Sequence, residues 1–471
     1  MPRKSRLVKL VLPIASLLSA SAYVAWAYSQ GPAGFPLDDA WIHQTYARNL
    51  AETGQLAYLP GQPSAGSTSP AWSFLLSMGY LLGLDYRLWS HLLGAVCLTT
   101  TAWLAYRLFL CFTPSKASVA LVAGLLCAVE WHLVWAAVSG METALFTALS
   151  LALLEYFFSR VDARQSPQDP ASLQKEQAIV SSIGIGLLGG VLTLTRPEGI
   201  ALAALVLLAL VIFPRASRAN EVRGRLLETA ISLIALGVVL APYMAFNLRT
   251  SGSIFPNTFY AKQLEYQAQL EWPLPVRFWW VLRPTLVGGQ ALLIPGFLYA
   301  AYRLVRRKDW AAVLPLVWWM AFISVYAWRL PVSYQHGRYV IPTIPLLVVY
   351  GTWGTALLFR PCSHQLWMRV LSRAMPVAIA LLALIFWVRG AQVYRDDVGV
   401  IEGEMVATAH WLNEHTSPDD LIAVHDIGAV GYLTDRPLLD LAGLITPEVI
   451  PFMTDAERLA GWMNQQGAAY A

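Results

Sequence analysis

Charge is scarce in this chain of 471 residues. Asp, Glu, Lys and Arg make up 13% of it and hydrophobic residues 56%, whereas soluble globular domains carry about 25% charged residues. That shortage excludes a soluble enzyme with a fully solvated surface. Cysteine is scarce as well. Cys97, Cys111 and Cys127 lie inside apolar runs and Cys362 in a basic loop, so no extracellular disulfide framework is available. The chain also lacks a Walker-type glycine loop, a nucleotide-sugar-binding unit and an internal repeat, and a net charge of +4 gives no reason to expect a nucleic-acid partner.

What is abundant is apolar length. With 19 Trp and 20 Tyr there is also material for the aromatic belts that sit at lipid headgroups. The fold class expected is an all-α polytopic membrane protein. A basic start (Met1–Arg6) precedes an apolar run, Leu7–Tyr28, that is long enough to serve as an anchor. Further spans are expected near 88–112, 117–138, 142–158, 178–195, 199–213, 226–246, 280–302, 310–328, 340–358 and 370–391, which makes about eleven by the usual criterion of about 20 residues. From Gln392 a soluble tail is expected as a second domain (392–471). It is read as a small α/β unit, with strands at Leu421–His425 and Pro437–Leu441 around a helical turn.

The segment Ala71–Gly83 decides the topology. At 1.5 Å per residue it covers about 20 Å, against a hydrocarbon core of about 30 Å. Lying along the surface, it leaves Arg160, Arg164, Lys175, Arg215, Arg218, Arg223, Arg225, Arg303, Arg306, Arg307, Lys308, Arg360, Arg369 and Arg373 in the cytoplasm, as the positive-inside rule favours. Every unusual polar cluster then faces outward: Asp38-Asp39, Ser139–Glu142, Thr195–Gly199, Asn247–Lys262 and Gln335–Tyr339. Polar groups near membrane depth are costly unless they share a pocket or pair with one another.

Each cluster has a plain and a chemical reading. Asp39 suits the N-cap of a helix Ala40–Thr53 stopped by Gly54, but one cap does not account for two aspartates. His43, one turn on, reads as a surface residue. Thr195 and Glu198 fit a capping box, which leaves Arg196 at a helix end unexplained. Glu142 answers the dipole of the helix it begins. Arg338 and Tyr339 suit an interfacial anchor, and Arg249, Lys262 and Tyr260 a sugar phosphate or a lipid headgroup. Together, an acid pair and several cations on one face suggest transfer from a lipid-linked phosphate. A carboxylate takes the proton of an acceptor hydroxyl, and a phosphate leaves against positive charge.

The motifs Asp38-Asp39 with Tyr46–Leu50, Gly66–Trp72, Ser139–Thr143, Thr195–Gly199, Phe255–Lys262, His336–Tyr339 and Asp426–Tyr432 with Asp435–Pro437 resemble, in order, those of the clan C integral-membrane glycosyltransferases. The branch most similar includes the mycobacterial terminal arabinofuranosyltransferases; lipid A aminoarabinose transferases and protein mannosyltransferases are more distant. The resemblance implies a bacterial plasma-membrane enzyme with an extracytoplasmic site and juxtamembrane helices in the first outer loop. It also implies a polyprenyl-phosphate sugar donor, a glycan or lipid acceptor, and Asp38 or Asp39 as base. Donor phosphate is expected at Arg196, Arg338, Lys262 and Arg249, with Glu142, Glu198, His336, Tyr339 and Tyr260 as a secondary set. No cofactor is expected, and a divalent metal stays open. The competing reading is a transporter or flippase for a lipid-linked sugar.

Overall fold

In a computed structural model the chain is described at residues 2–31, 34–163, 171–213, 222–359 and 365–471. Arg164, Arg215, Arg218, Arg360 and Cys362 fall outside those residues; the other three cysteines are free. The chain is mostly helical. α1 (Pro2–Gln30) leads into the first loop, which carries α2 (Asp38–Thr53), a hairpin of β1 (Ala57–Leu59) and β2 (Gln62–Pro63), and α3 (Pro70–Leu81). α4 (Tyr86–Phe112), α5 (Ala117–Val129), α6 (Trp131–Val138), α7 (Thr143–Ala163), α8 (Ala171–Thr195), α9 (Gly199–Ile212) and α10 (Val222–Ser251) follow. A second loop holds α11 (Asn257–Glu265) and α12 (Leu274–Leu282). α13 (Ile294–Arg307), α14 (Trp310–Arg329), α15 (Ile344–Leu358) and α16 (Leu366–Ile401) complete the bundle.

All eleven expected spans are helical, but not all are single straight helices. Among the described residues seven helices are long and apolar enough to cross a membrane, or nine if each of two bent pairs is one span. The expected span 117–138 breaks by 51° between α5 and α6, where the Glu130 carboxylate caps α6 by accepting from Leu133 N–H. The expected span 280–302 is not one straight helix: the chain bends by 105° between α12 and α13. Pro284 supplies no N–H, and Gly288 takes a φ of 146° that a side chain would strain. α3 is 12 residues long, too short at about 18 Å to span. It packs against α2 beside the bundle.

Leu10, Ile234, Leu298 and Leu384 each stay more than half exposed on the outer surface of the bundle. An apolar belt of that kind is a liability in water and an ordinary surface in lipid. The bundle interior is a continuous core that includes Tyr23, Trp135, Phe157 and Tyr350. At the ends of α7, α8 and α10 remote from the first loop, Arg160 bonds Glu228 at 2.7 Å and Ser182 at 3.1 Å.

α16 runs for 36 residues, about 54 Å, well beyond a hydrocarbon core of about 30 Å. It passes Gln392 without a break and continues through a π-helical turn into α17 (Ala407–His415). Beyond it β3 (Ile422–Val424) and β4 (Leu438–Asp440) pair in parallel across α18 (Ile427–Leu433), and α19 (Ala456–Gln466) follows. This small α/β unit does not stand apart. Ile427, Val430 and Leu412 share a core with Ile42, Tyr46 and Tyr58 of the first loop.

Candidate active site

The site begins at the first turn of α2. The helix opens at Asp38 with Leu37 extended before it and no side chain capping its end, so neither aspartate is the N-cap of its own helix. Consecutive helical residues point about 100° apart, and the two carboxylates diverge accordingly. Asp38 faces the tail, where its oxygens accept N–H bonds from Gly428 at 2.6 Å and Ala429 at 2.8 Å, at the start of α18. Asp39 faces a cavity. Its Oδ2 lies 2.5 Å from Arg338 Nη2 and 3.4 Å from Lys262 Nζ.

These surroundings drive the two carboxyls apart. Burial pushes Asp38 up to about 7, and the two N–H donors only partly offset it. Burial also raises Asp39, but Lys262 and Arg338 outweigh it and hold the group well below the usual carboxylate range. The Lys262 ammonium, which burial alone would lower, is held above its usual value chiefly by Asp39.

A second cluster borders the same space. Arg196 leaves the end of α8 with Nη2 2.7 Å from the Tyr326 hydroxyl and 3.5 Å from Glu198; its Nε is 3.8 Å from Glu142. Tyr326 donates in turn to Glu198. The capping box expected at Thr195–Glu198 is therefore not formed. Thr195 Oγ1 donates back to the Val191 carbonyl, and Glu198 turns toward Arg196, a buried cation that outcompetes an N–H donor for a carboxylate. Glu142 is likewise drawn to side chains. Burial raises its pKa, but the hydrogen bond from His43 and the charge on Arg196 pull it down to about 2. His43, expected on the surface, is 4% exposed, with Nε2 3.4 Å from Glu142 and Nδ1 3.4 Å from Ser73 Oγ. The cause is packing: α2 is wedged among α3, the bundle and the tail and keeps no free face.

Backbone clips hold the walls together. Trp72 Nε1 donates to the Gly140 carbonyl at 2.8 Å. Gly140 itself, at a φ of 78°, leaves no room for a Cβ between Phe35 and Ala40. Asn257 N–H bonds the Ala65 carbonyl at 2.9 Å, and Tyr243 donates to the Ser67 carbonyl. The cavity, of about 260 Å³, is lined by Asp39, His43, Glu142, Arg196, Glu198, Lys262, Arg338 and Tyr339. Apolar walls come from Ile42, Met141, Phe259, Val325 and Leu330.

The structure thus brings together members of all five clusters expected to face outward, but not every candidate within them. Arg249 sits exposed at the end of α10, carried away from the cavity by the final turn of that helix. Tyr260 is 40% exposed and packs edge-on against Phe259, because it occupies the opposite face of α11 from Lys262. His336 turns from the cavity to Asp397, 2.7 Å away. Ser67 and Thr258 line the cavity from within motifs noted in the sequence but were not named as site residues, and Gln263, Tyr326 and Arg329 lie outside those motifs. Arg329 carried a usable signal, since it ends an apolar span on the same face as Arg196. Tyr326 carried none, because its role depends on which helix packs opposite.

The three cavity carboxylates each pair with a cation. Among the described residues no group of three His, Cys, Asp or Glu side chains could hold a metal ion. The side chains as placed therefore do not fit a divalent metal.

Solved structures with this arrangement of helices are known. ArnT from Cupriavidus metallidurans bound to undecaprenyl phosphate is 16% identical, with a TM-score of 0.60 over 94% of this chain and 88% of that one. The apo oligosaccharyltransferase of Archaeoglobus fulgidus is 13% identical, with a TM-score of 0.64 over 92% of this chain and 64% of that one. The chain has the fold of the clan C membrane glycosyltransferases. It spans just under two thirds of the archaeal protein, which has also been solved in complex with an inhibitory peptide and a dolichol-phosphate. Within this fold, residues 391–471 match a family described as a domain of unknown function (DUF8728). No curated protein matches the chain in sequence.

Proposed function

We propose that the protein transfers a sugar from a polyprenyl-phosphate donor to a cell-envelope glycan or lipid, with Asp39 as the base. Transfer takes place at the outer face of a bacterial plasma membrane. The observation that carries this reading is the triad of Asp39 with Lys262 and Arg338 at a cavity in a fold shared with ArnT. The motif resemblance favours a donor of the arabinofuranosyl or mannosyl kind.

Charge supports the donor class. The cavity is lined by four cations (Arg196, Lys262, Arg329 and Arg338) and three carboxylates (Asp39, Glu142 and Glu198). Among these side chains one positive charge is in excess, which a polyprenyl-phosphoryl sugar, a singly charged phosphodiester, would neutralise. In the reaction the acceptor hydroxyl gives its proton to Asp39 and its oxygen bonds the anomeric carbon. The bond from that carbon to phosphate oxygen breaks, and its electron pair stays on the phosphate. Asp39 loses a negative charge as the phosphate gains one. Lys262 and Arg338 are thereby released by the carboxylate when the leaving group needs them, and a low-dielectric cavity magnifies that exchange.

Asp38 is read as structural in this scheme. The test is transfer from radiolabelled polyprenyl-phosphate pentose and hexose by the full-length protein in lipid nanodiscs. Label should pass to an envelope acceptor with one donor class. A protein that moves the intact lipid-linked sugar across the bilayer without cleaving it would overturn the reading in favour of a flippase.

A further inference from the structure

The turn that delivers Arg338 and Tyr339 to the cavity has an unusual backbone. Gln335, His336 and Gly337 follow one another at φ values of 52°, 59° and 69°. Among the described residues only three non-glycine residues have positive φ, and two of them stand here. A left-handed residue with a Cβ persists only where its surroundings over-determine it. Gly337 adds a second constraint, since a Cβ there would meet Pro284 at 2.6 Å.

The surroundings are specific. His336 Nε2 lies 2.7 Å from Asp397 Oδ2, and Trp135 Nε1 donates to the same oxygen at 2.9 Å. The imidazole stands edge-on to the rings of Trp131 and Trp135, at 5.5 and 5.2 Å. Asp397 belongs to α16 and Trp135 to α6, so one carboxylate oxygen ties this turn to two bundle helices. Immediately after the turn, Arg338 Nη2 reaches Asp39 and donates to the Tyr339 hydroxyl at 3.1 Å, and Lys262 donates to that hydroxyl at 3.1 Å. None of the three anchoring side chains lines the cavity.

We infer that His336 and Asp397 are positioning residues: their contact holds the left-handed turn, and the turn sets Arg338 against the donor phosphate. The inference rests on the proposed role of Arg338. If the contact is lost, the guanidinium keeps its charge and loses its aim. Phosphate affinity then falls, and because Arg338 also pairs with Asp39, turnover falls with it.

The experiment compares His336→Gly, Asp397→Ala, their double variant and Asp397→Asn, all in the full chain. Glycine at 336 relieves the backbone and removes only the side-chain anchor; asparagine at 397 keeps an oxygen that both donors can reach. Undecaprenyl phosphate binding should weaken roughly tenfold to a hundredfold in His336→Gly and in Asp397→Ala, the scale of one charge-assisted bond. The double variant should be no worse than either single one, as for two residues acting through one contact. Asp397→Asn should restore most of the affinity. Amide hydrogen exchange across residues 335–340 should quicken in Asp397→Ala without ligand. Unchanged affinity and exchange in His336→Gly would overturn the inference. If wild-type protein itself fails to bind undecaprenyl phosphate, the proposed function falls, and the exchange result still decides whether the contact holds the turn.

Discussion

Changing Asp39 to Asn should move binding and turnover in opposite directions. Asn preserves the size of the side chain and one oxygen for Arg338, so that buried guanidinium (4% exposed) is not left without an acceptor, a loss that costs about 3–5 kcal/mol in a buried pair. Two things are removed, proton acceptance and one negative charge. The absent base should lower transfer by about 10² to 10⁴. The absent charge frees Lys262 and Arg338 to act on phosphate alone. If roughly 1.4 kcal/mol of their interaction passes to the ligand, affinity for undecaprenyl phosphate rises about tenfold. Equilibrium binding of undecaprenyl phosphate and single-turnover transfer by the nanodisc protein read the two effects separately. Near-normal transfer would show that Asp39 is not the base, and Glu142 would be the next carboxylate to test. Transfer and affinity falling together would mean that Asp39 orders the cations rather than competing with the donor for them.

Other substitutions separate roles the sequence left joined. Asp38→Ala removes the acceptor of two N–H bonds at α18; at about 1–3 kcal/mol for each unsatisfied donor, it should lower the melting temperature and expose the tail to protease. Arg338→Gln should weaken undecaprenyl phosphate binding, while Arg249→Gln, at an exposed site, should leave binding and transfer unchanged. Glu142 has a lowered folded pKa of about 2 against an unfolded value of 4.5, so its contribution is fully present above pH 4.5 and lost as pH falls toward 2. That contribution is up to about 3 kcal/mol, and Glu142→Gln should flatten the acid limb of a melting curve over that window.

Hydropathy and charge bias alone made the helical bundle legible, because lipid forces each span to satisfy its own backbone. The bends were harder. Pro284 and Gly288-Gly289 mark the 105° turn in hindsight, but a window of apolar residues averages over them. The convergence of the five clusters followed from topology, while the division of labour between Asp38 and Asp39 did not. It depends on which way adjacent residues of α2 face, and that is fixed by a tail that begins hundreds of residues later. His43 was misread for the same reason: an amphipathic pattern reports polarity, not whether the polar face is covered. Arg249 and Arg338 look alike in sequence, and only the path of α10 and the left-handed turn before Arg338 tell them apart.

The bond between Asp38 and the start of α18 joins residues 390 apart. The ribosome makes α2 among the first helices and α18 among the last. Until α18 docks, the Asp38 carboxylate has neither N–H donor, whereas the partners of Asp39, Lys262 and Arg338, precede α18 in the chain. The clips of the first loop on Asn257 and Tyr243 are likewise made before α18, which leaves the Asp38 bonds as the late ones. Assembly order makes the tail the last wall of the site to arrive: the first turn of α2 gains its full set of partners only once the far end of the chain has been made.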